Sequence, residues 1–225
     1  MNFLIVLCEG KSEQDFVNQF LAAHLLKVGT VCRGIELGKR VKNDVAESPG
    51  GVLQYEPVYR HIKASLRQYS SENSYVTTMF DFYAFPTDFP NYDLLSKEPD
   101  ALKRISAFEE EMSRQMNRDP RFIPNIQLHE FETLLYASLG ELEFEFADDE
   151  ESLLGLKRLI KDVVGLLPEE INQTREGAPS KRLLKFMPAY NKRSMGPRII
   201  HQIGWEGLRK SCPHFGLWLS RLENL

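Results

Sequence analysis

Glu9, Asp81, Glu130 and Glu132 each stand at or just past the end of an apolar run. The runs are Phe3–Cys8 (FLIVLC), Tyr75–Phe82 (YVTTMFDF) and Phe122–Leu128, and their β-branched and aromatic content predicts strands. In open parallel sheets, ligands sit beyond the carboxyl ends of the strands. If these strands are neighbours, the carboxylates converge at one edge. Carboxylates that face one another cannot all stay ionised without a cation. Hard oxygen donors suit Mg²⁺ or Mn²⁺, which keep waters for a phosphate substrate and can activate one as a nucleophile. Each acid taken alone also has a local account. Glu9 and Asp81 can be turn residues, and Glu130 or Glu132 can sit in the first turn of a helix running through Leu135. Taken together, the acids favour a metal site.

A second group is basic. From Arg175 to Arg198 the chain carries Arg175, Lys181, Arg182, Lys185, Lys192, Arg193 and Arg198 against one acid, Glu176. In a chain of net charge -4 so lopsided a segment is a candidate phosphate-binding face. The alternative is a solvated helix face. Gly38-Lys39-Arg40-Val41-Lys42 could extend the same surface. His129, beside the acidic pair, suits either metal ligation and proton transfer or a packing role. Cys212-Pro213-His214 lacks a second pair at zinc spacing and reads as a turn into the final helix. Trp205, Phe215 and Trp218 fall at near-helical spacing and are expected in the core. There is no P-loop lysine motif and no dinucleotide glycine pattern, so ATP is not an expected ligand.

These residues need elements to place them. The fully apolar Phe3–Cys8 run predicts a buried central strand of a parallel sheet. Ser12 and Asp15 resemble a capping box, with Phe16, Phe20, Ala23 and Leu26 marking the helix that follows. Val31–Ile35 is a further strand, Gly38–Pro57 a long loop, and Val58–Tyr69 a helix. Ala84–Tyr92, with its prolines, is a loop, and Asp100–Met116 an amphipathic helix. Leu153–Leu167, Ile199–Arg209 and His214–Leu222 are helices. The alternation predicts an α/β fold with a mainly parallel sheet, helices on both faces and a helical C-terminal part. The expected division is 1–140 for the α/β core and 141–225 for the helical part, packed as one compact domain.

The 225 residues suffice for a core without staples. Cys8, Cys32 and Cys212 are too few and too scattered for a disulfide framework. The first residues show neither a basic leader nor an A-x-A cleavage site, and no apolar stretch nears the ~20 residues that span a bilayer. A cytoplasmic protein with no membrane association is expected.

The motifs also carry a resemblance. Cys8-Glu9-Gly10-Lys11-Ser12-Glu13 resembles the opening of Toprim domains, especially those of OLD-type nucleases. Asp81, in Phe80-Asp81-Phe82-Tyr83, sits where Toprim proteins carry a "DxD" strand end. More narrowly, the chain looks like a bacterial Toprim-like family called a domain of unknown function. Its marks here are Thr77-Thr78-Met79-Phe80-Asp81-Phe82-Tyr83, Arg121-Phe122-Ile123-Pro124, Gln127-Leu128-His129-Glu130-Phe131-Glu132, Ala178-Pro179-Ser180-Lys181-Arg182 and Cys212-Pro213-His214-Phe215, which span nearly the whole chain.

The resemblance implies a Toprim or Rossmann-like core and Mg²⁺- or Mn²⁺-dependent cleavage of DNA or RNA. It implies Glu9 as metal ligand or acid/base and Asp81 as the main ligand. Glu13 would serve a second ion or its waters, and Glu132, with Glu130, would complete the metal site. Lys181 resembles the lysine that OLD-type nucleases place near the scissile phosphate. Lys181, Arg182, Lys185, Lys192, Arg193 and Arg198 would bind the polymer. Tyr83 replaces the second acid of "DxD", which argues against two metals unless Asp88 or Glu130 substitutes. Such nucleases resemble effectors of anti-phage systems, and an ATPase partner encoded nearby is implied as a separate chain. A homo-oligomer is left open. Two other functions compete: a metal-dependent hydrolase of small phosphates, and a non-catalytic regulatory subunit.

Overall fold

Leu4 to Cys8 are all nearly inaccessible to solvent, as a continuously apolar strand covered on both faces must be. In the computed structural model, which describes residues 1–37, 54–171 and 177–225, this strand is β1 (Asn2–Cys8). Gly38–Lys42 and Arg175–Glu176 lie outside the described residues. Contacts divide the chain into two units, Met1–Leu128 with Leu225, and His129–Asn224. The division falls at Leu128, ahead of the boundary expected at residue 140.

In the first unit β1 pairs in parallel with β2 (Thr30–Glu36) on one side and β3 (Ser74–Asp81) on the other. β3 pairs in parallel with two short strands, β4 (Phe122–Ile123) and β5 (Ile126–Gln127). The order is β2-β1-β3-β4, with β5 extending the ladder at the end of β3. The mainly parallel α/β fold expected from the alternation is therefore present.

Helices cover both faces. Ile5 and Leu7 join a buried cluster with Val58, Ile62 and Leu66 of α3 (Tyr55–Gln68) and Ile105, Phe108 and Met112 of α5 (Ala101–Gln115). Leu4 and Val6 alternate to the opposite face. A helix formed by α1 (Lys11–Phe16), a π turn (Val17–Leu21) and α2 (Ala22–Leu26) packs against β1 and β2. Its Phe16, Val17, Leu21 and Leu25 are fully buried. The expected Ser12 cap is not formed: Gly10 is the N-cap residue and Ser12 lies inside α1, buried.

Two more readings are corrected. α3 begins at Tyr55, inside the loop expected over Gly38–Pro57, of which residues 38–53 lie outside the described residues. Both oxygens of Asp88 accept the Tyr55 N–H, at 2.9 and 3.1 Å, and so cap this helix from a distance. The strand expected over Phe122–Leu128 is broken at Pro124-Asn125, since proline has no N–H for a ladder. Thr78 Oγ1 donates to the Asn125 carbonyl at 2.7 Å and accepts the Asn125 N–H at 2.9 Å, which satisfies the interrupted backbone. The Pro-containing loop is held by its aromatics: Phe85 and Phe89 pack on Phe108, ahead of the short α4 (Tyr92–Leu95).

The second unit is helical. A 3₁₀ stretch (Phe131–Glu141) leads to α6 (Leu142–Glu145), α7 (Glu150–Asp162), α8 (Pro179–Phe186), α9 (Lys192–Ser211) and α10 (Pro213–Glu223). α7 ends at Asp162, short of the expected Leu167. α9 runs longer than expected and is broken at Gly204, whose φ of 76° suits glycine. Phe215 and Trp218 are buried edge-to-face, as core residues, whereas Trp205, expected with them, is only partly buried. Among the described residues no helix is long and apolar enough to cross a membrane.

Candidate functional site

The register Cys8↔Met79 brings the carboxyl ends of β1 and β3 side by side. Glu9 leaves β1 one residue later, and its N–H donates to the Met79 carbonyl at 3.2 Å. The Asp81 N–H then donates to Glu9 Oε2 at 3.0 Å. Glu9 and Asp81 thus meet across a sequence separation of 72, both half-buried at one sheet edge. The hydrogen bond fixes the Glu9 carboxylate against the backbone at the end of β3.

Glu13 lies in the first turn of α1, buried, and its carboxylate folds back over Gly10. A Cβ at Gly10 would stand 2.9 Å from Glu13 Oε2. A side chain at position 10 would therefore displace the Glu13 carboxylate, although the φ of -141° is open to any residue. A narrow cavity of about 10 Å³ beside the pair is lined by Glu9, Tyr55, Phe80, Asp81, Phe85 and Met112, among others. This matches about one water position. Tyr83 is exposed in the 3₁₀ turn after β3.

Glu130 and Glu132 belong to the second unit and are engaged there. Glu130 accepts from the Ser180 N–H at 2.9 Å and from Ser180 Oγ at 3.0 Å. Glu132 is 1% exposed and lies 3.1 Å from Lys192 Nζ. Burial raises the Glu132 pKa, against the pull of the Lys192 ammonium; Glu130 pushes in the same direction as burial. His129 is buried with a left-handed φ of 68°, and its Nε2 lies 2.9 Å from the Glu169 carbonyl. Among the described residues, no group of three or more His, Cys, Asp or Glu side chains is disposed to hold a metal ion. Of the acids expected to converge, Glu9 and Asp81 stand at neighbouring strand ends, joined by the Asp81 N–H, whereas Glu130 and Glu132 are engaged within the second unit.

The basic segment is less uniform than its composition. Arg182 pairs with Asp162 and donates to the Gly177 carbonyl, and Arg198 pairs with Glu145. Lys192 faces Glu132 and lies over the Phe131 ring. Lys181, Lys185 and Arg193 are exposed and form no ion pair with a described residue. Lys181 and Lys185 share a face of α8, one turn apart.

Two contacts had no sequence signal. Ser180 meets Glu130 across 50 residues. Glu169 accepts the His214 and Phe215 N–H groups at the start of α10, at 3.1 and 3.4 Å. The Cys-Pro-His-Phe stretch is therefore a capped helix start, the structural role expected for it.

A family model described as Domain of unknown function (DUF4276) matches residues 8–223. No curated protein and no solved structure matches the chain.

Proposed function

We propose that this chain, which belongs to the family Domain of unknown function (DUF4276), is a Mg²⁺- or Mn²⁺-dependent phosphodiesterase acting on DNA or RNA. The observation that carries the reading is the pairing of Glu9 and Asp81 at adjacent strand ends, with the Asp81 N–H holding Glu9. The Toprim-like surroundings of both residues support it. So do the exposed cations Lys181, Lys185 and Arg193, which suit a polymer of phosphates.

The donor set fits the ion. Mg²⁺ is commonly held by one or two carboxylates, with waters and substrate phosphate completing its shell. Asp81 and Glu9 would hold it, and Glu13 would bind its waters. When bound, the ion supplies an activated water and charge neutralisation at phosphorus. Glu9 is oriented beforehand by a backbone donor, so little reorganisation is left for the reaction. The exposed cations of α8 and α9 would bind phosphates of the polymer, with Lys181 in the role that the resemblance to OLD-type nucleases gives it. The resemblance to OLD-type nucleases supports an effector role in an anti-phage or nucleic-acid-processing system, with any ATPase on a separate chain.

The test is cleavage of labelled single- and double-stranded DNA and RNA with Mg²⁺ or Mn²⁺, with and without the ATPase subunit. Asp81→Asn and Glu9→Gln should each lose about 100-fold or more in rate. Mn²⁺ should raise the wild-type Tm by binding the folded state, and Asp81→Asn should abolish most of the shift. Absence of cleavage in every arm, or undiminished cleavage by Asp81→Asn, overturns the reading. Hydrolysis of a small phosphate ester with polymers untouched would replace it by the small-phosphate alternative.

A further inference from the structure

Glu130, Phe131 and Glu132 each touch the beginning of a basic helix. Glu130, 8% exposed, binds both donors of Ser180, the second residue of α8. N–H groups in a first helical turn have no acceptor within the helix, and a negative charge there also meets the positive end of the helix dipole. Next to this contact, Tyr136 Oη donates to the Pro179 carbonyl at 2.8 Å. Glu132 holds the ammonium of Lys192, the first residue of α9. The same ammonium is 5.6 Å from the centre of the Phe131 ring. One turn along α9, a Cβ at Gly196 would lie 3.3 Å from Phe131 and 3.0 Å from Tyr190 Oη, so the helix is seated closely on this ring.

The two acids are therefore occupied by protein donors. Both Glu130 oxygens accept hydrogen bonds, and a lysine stands against Glu132 where a metal ligand would present its ion. Burial of Glu132 makes its charge costly without that lysine.

We propose that Glu130 and Glu132 are positioning residues: they fix the first turns of α8 and α9, so that Lys181, Lys185 and Arg193 meet substrate phosphates in a preset pattern, and neither ligates the metal. The phosphate part of this rests on the phosphodiesterase reading above. The clamp itself rests on the contacts alone.

The experiment compares Glu130→Ala, Glu130→Gln, Glu132→Gln, Lys192→Met and the double variant Glu132→Gln with Lys192→Met. Three quantities are read: the Tm shift caused by Mn²⁺ alone, the Kd for a labelled DNA duplex without metal, and the midpoint of urea unfolding. Glu130→Ala should raise Kd by about tenfold, the scale of one lost charge-assisted hydrogen bond. Glu130→Gln keeps an acceptor for the Ser180 N–H and should recover most of that loss. The Mn²⁺ shift should match wild type in Glu130→Gln and Glu132→Gln. The double variant should be less destabilised than the sum of its single changes, because the pair disappears together.

Loss of the Mn²⁺ shift in Glu130→Gln or Glu132→Gln would make these acids ligands and overturn the proposal. Additive destabilisation at 132 and 192 would overturn the clamp. A wild type that binds neither Mn²⁺ nor DNA would overturn the phosphodiesterase reading and the phosphate role with it. The unfolding cycle would still decide the clamp.

Discussion

At Glu9 the carboxylate is held by a backbone donor, whereas Lys181 stands exposed at the start of α8. The difference sets what their loss should do. Lys181→Ala removes charge without removing packing, so unfolding stability should stay within about 0.5 kcal/mol of wild type. Single-turnover cleavage should slow by about 100-fold if the ammonium stabilises charge at the reacting phosphate. Cleavage at the wild-type rate once substrate saturates would leave Lys181 a docking cation. The sequence made Glu9 and Asp81 visible because each follows a strand that reads as buried, and parallel neighbours carry their ends to one edge. Partners of Glu130 and Glu132 were not visible. A carboxylate that caps a helix 50 residues away looks the same along the chain as one awaiting a metal.

Among the elements, the interrupted strand shows most clearly what pattern alone misses. Phe122–Leu128 is apolar enough for one strand, yet Pro124 forbids a continuous ladder, and the repair comes from Thr78 on the neighbouring strand. Thr78→Val keeps shape and β-propensity while removing the hydroxyl. It should cost about 1–3 kcal/mol in urea unfolding, the range for a buried backbone group left without its partner. A cost below about 0.5 kcal/mol would mean that water replaces the hydroxyl. α3 and α5 were legible from their amphipathic spacing, and β1 and β3 from composition. The end of α7 was not, because apolar residues continue past Asp162 into a turn where Val164 and Leu167 are exposed.

For the whole molecule, charge is managed locally rather than by the net value of -4. Arg182, Lys192 and Arg198 are engaged by acids within their own unit, which leaves a narrower cationic face than composition implied. Buried acids give stability a pH dependence that can be assigned. Glu169 is 5% exposed, and burial raises its pKa above the ordinary 4.5, although the His214 N–H, the charge of His214 and the Phe215 N–H pull it down. A carboxyl raised in the folded state binds more protons folded than unfolded between the two pKa values. Its contribution is therefore fully present below 4.5 and is lost as pH rises through the folded value. Glu169→Gln keeps an acceptor for the start of α10 but cannot ionise. Tm measured from acid to neutral pH should show the two proteins running parallel below 4.5, with wild type falling relative to Glu169→Gln above it. Removing the carboxyl also removes its upward push on the buried Cys212 thiol, which should become easier to ionise, although burial keeps its pKa raised. If the curves stay parallel throughout, the hydrogen bonds from α10 outweigh burial, and Glu169 is an ordinary ionised cap.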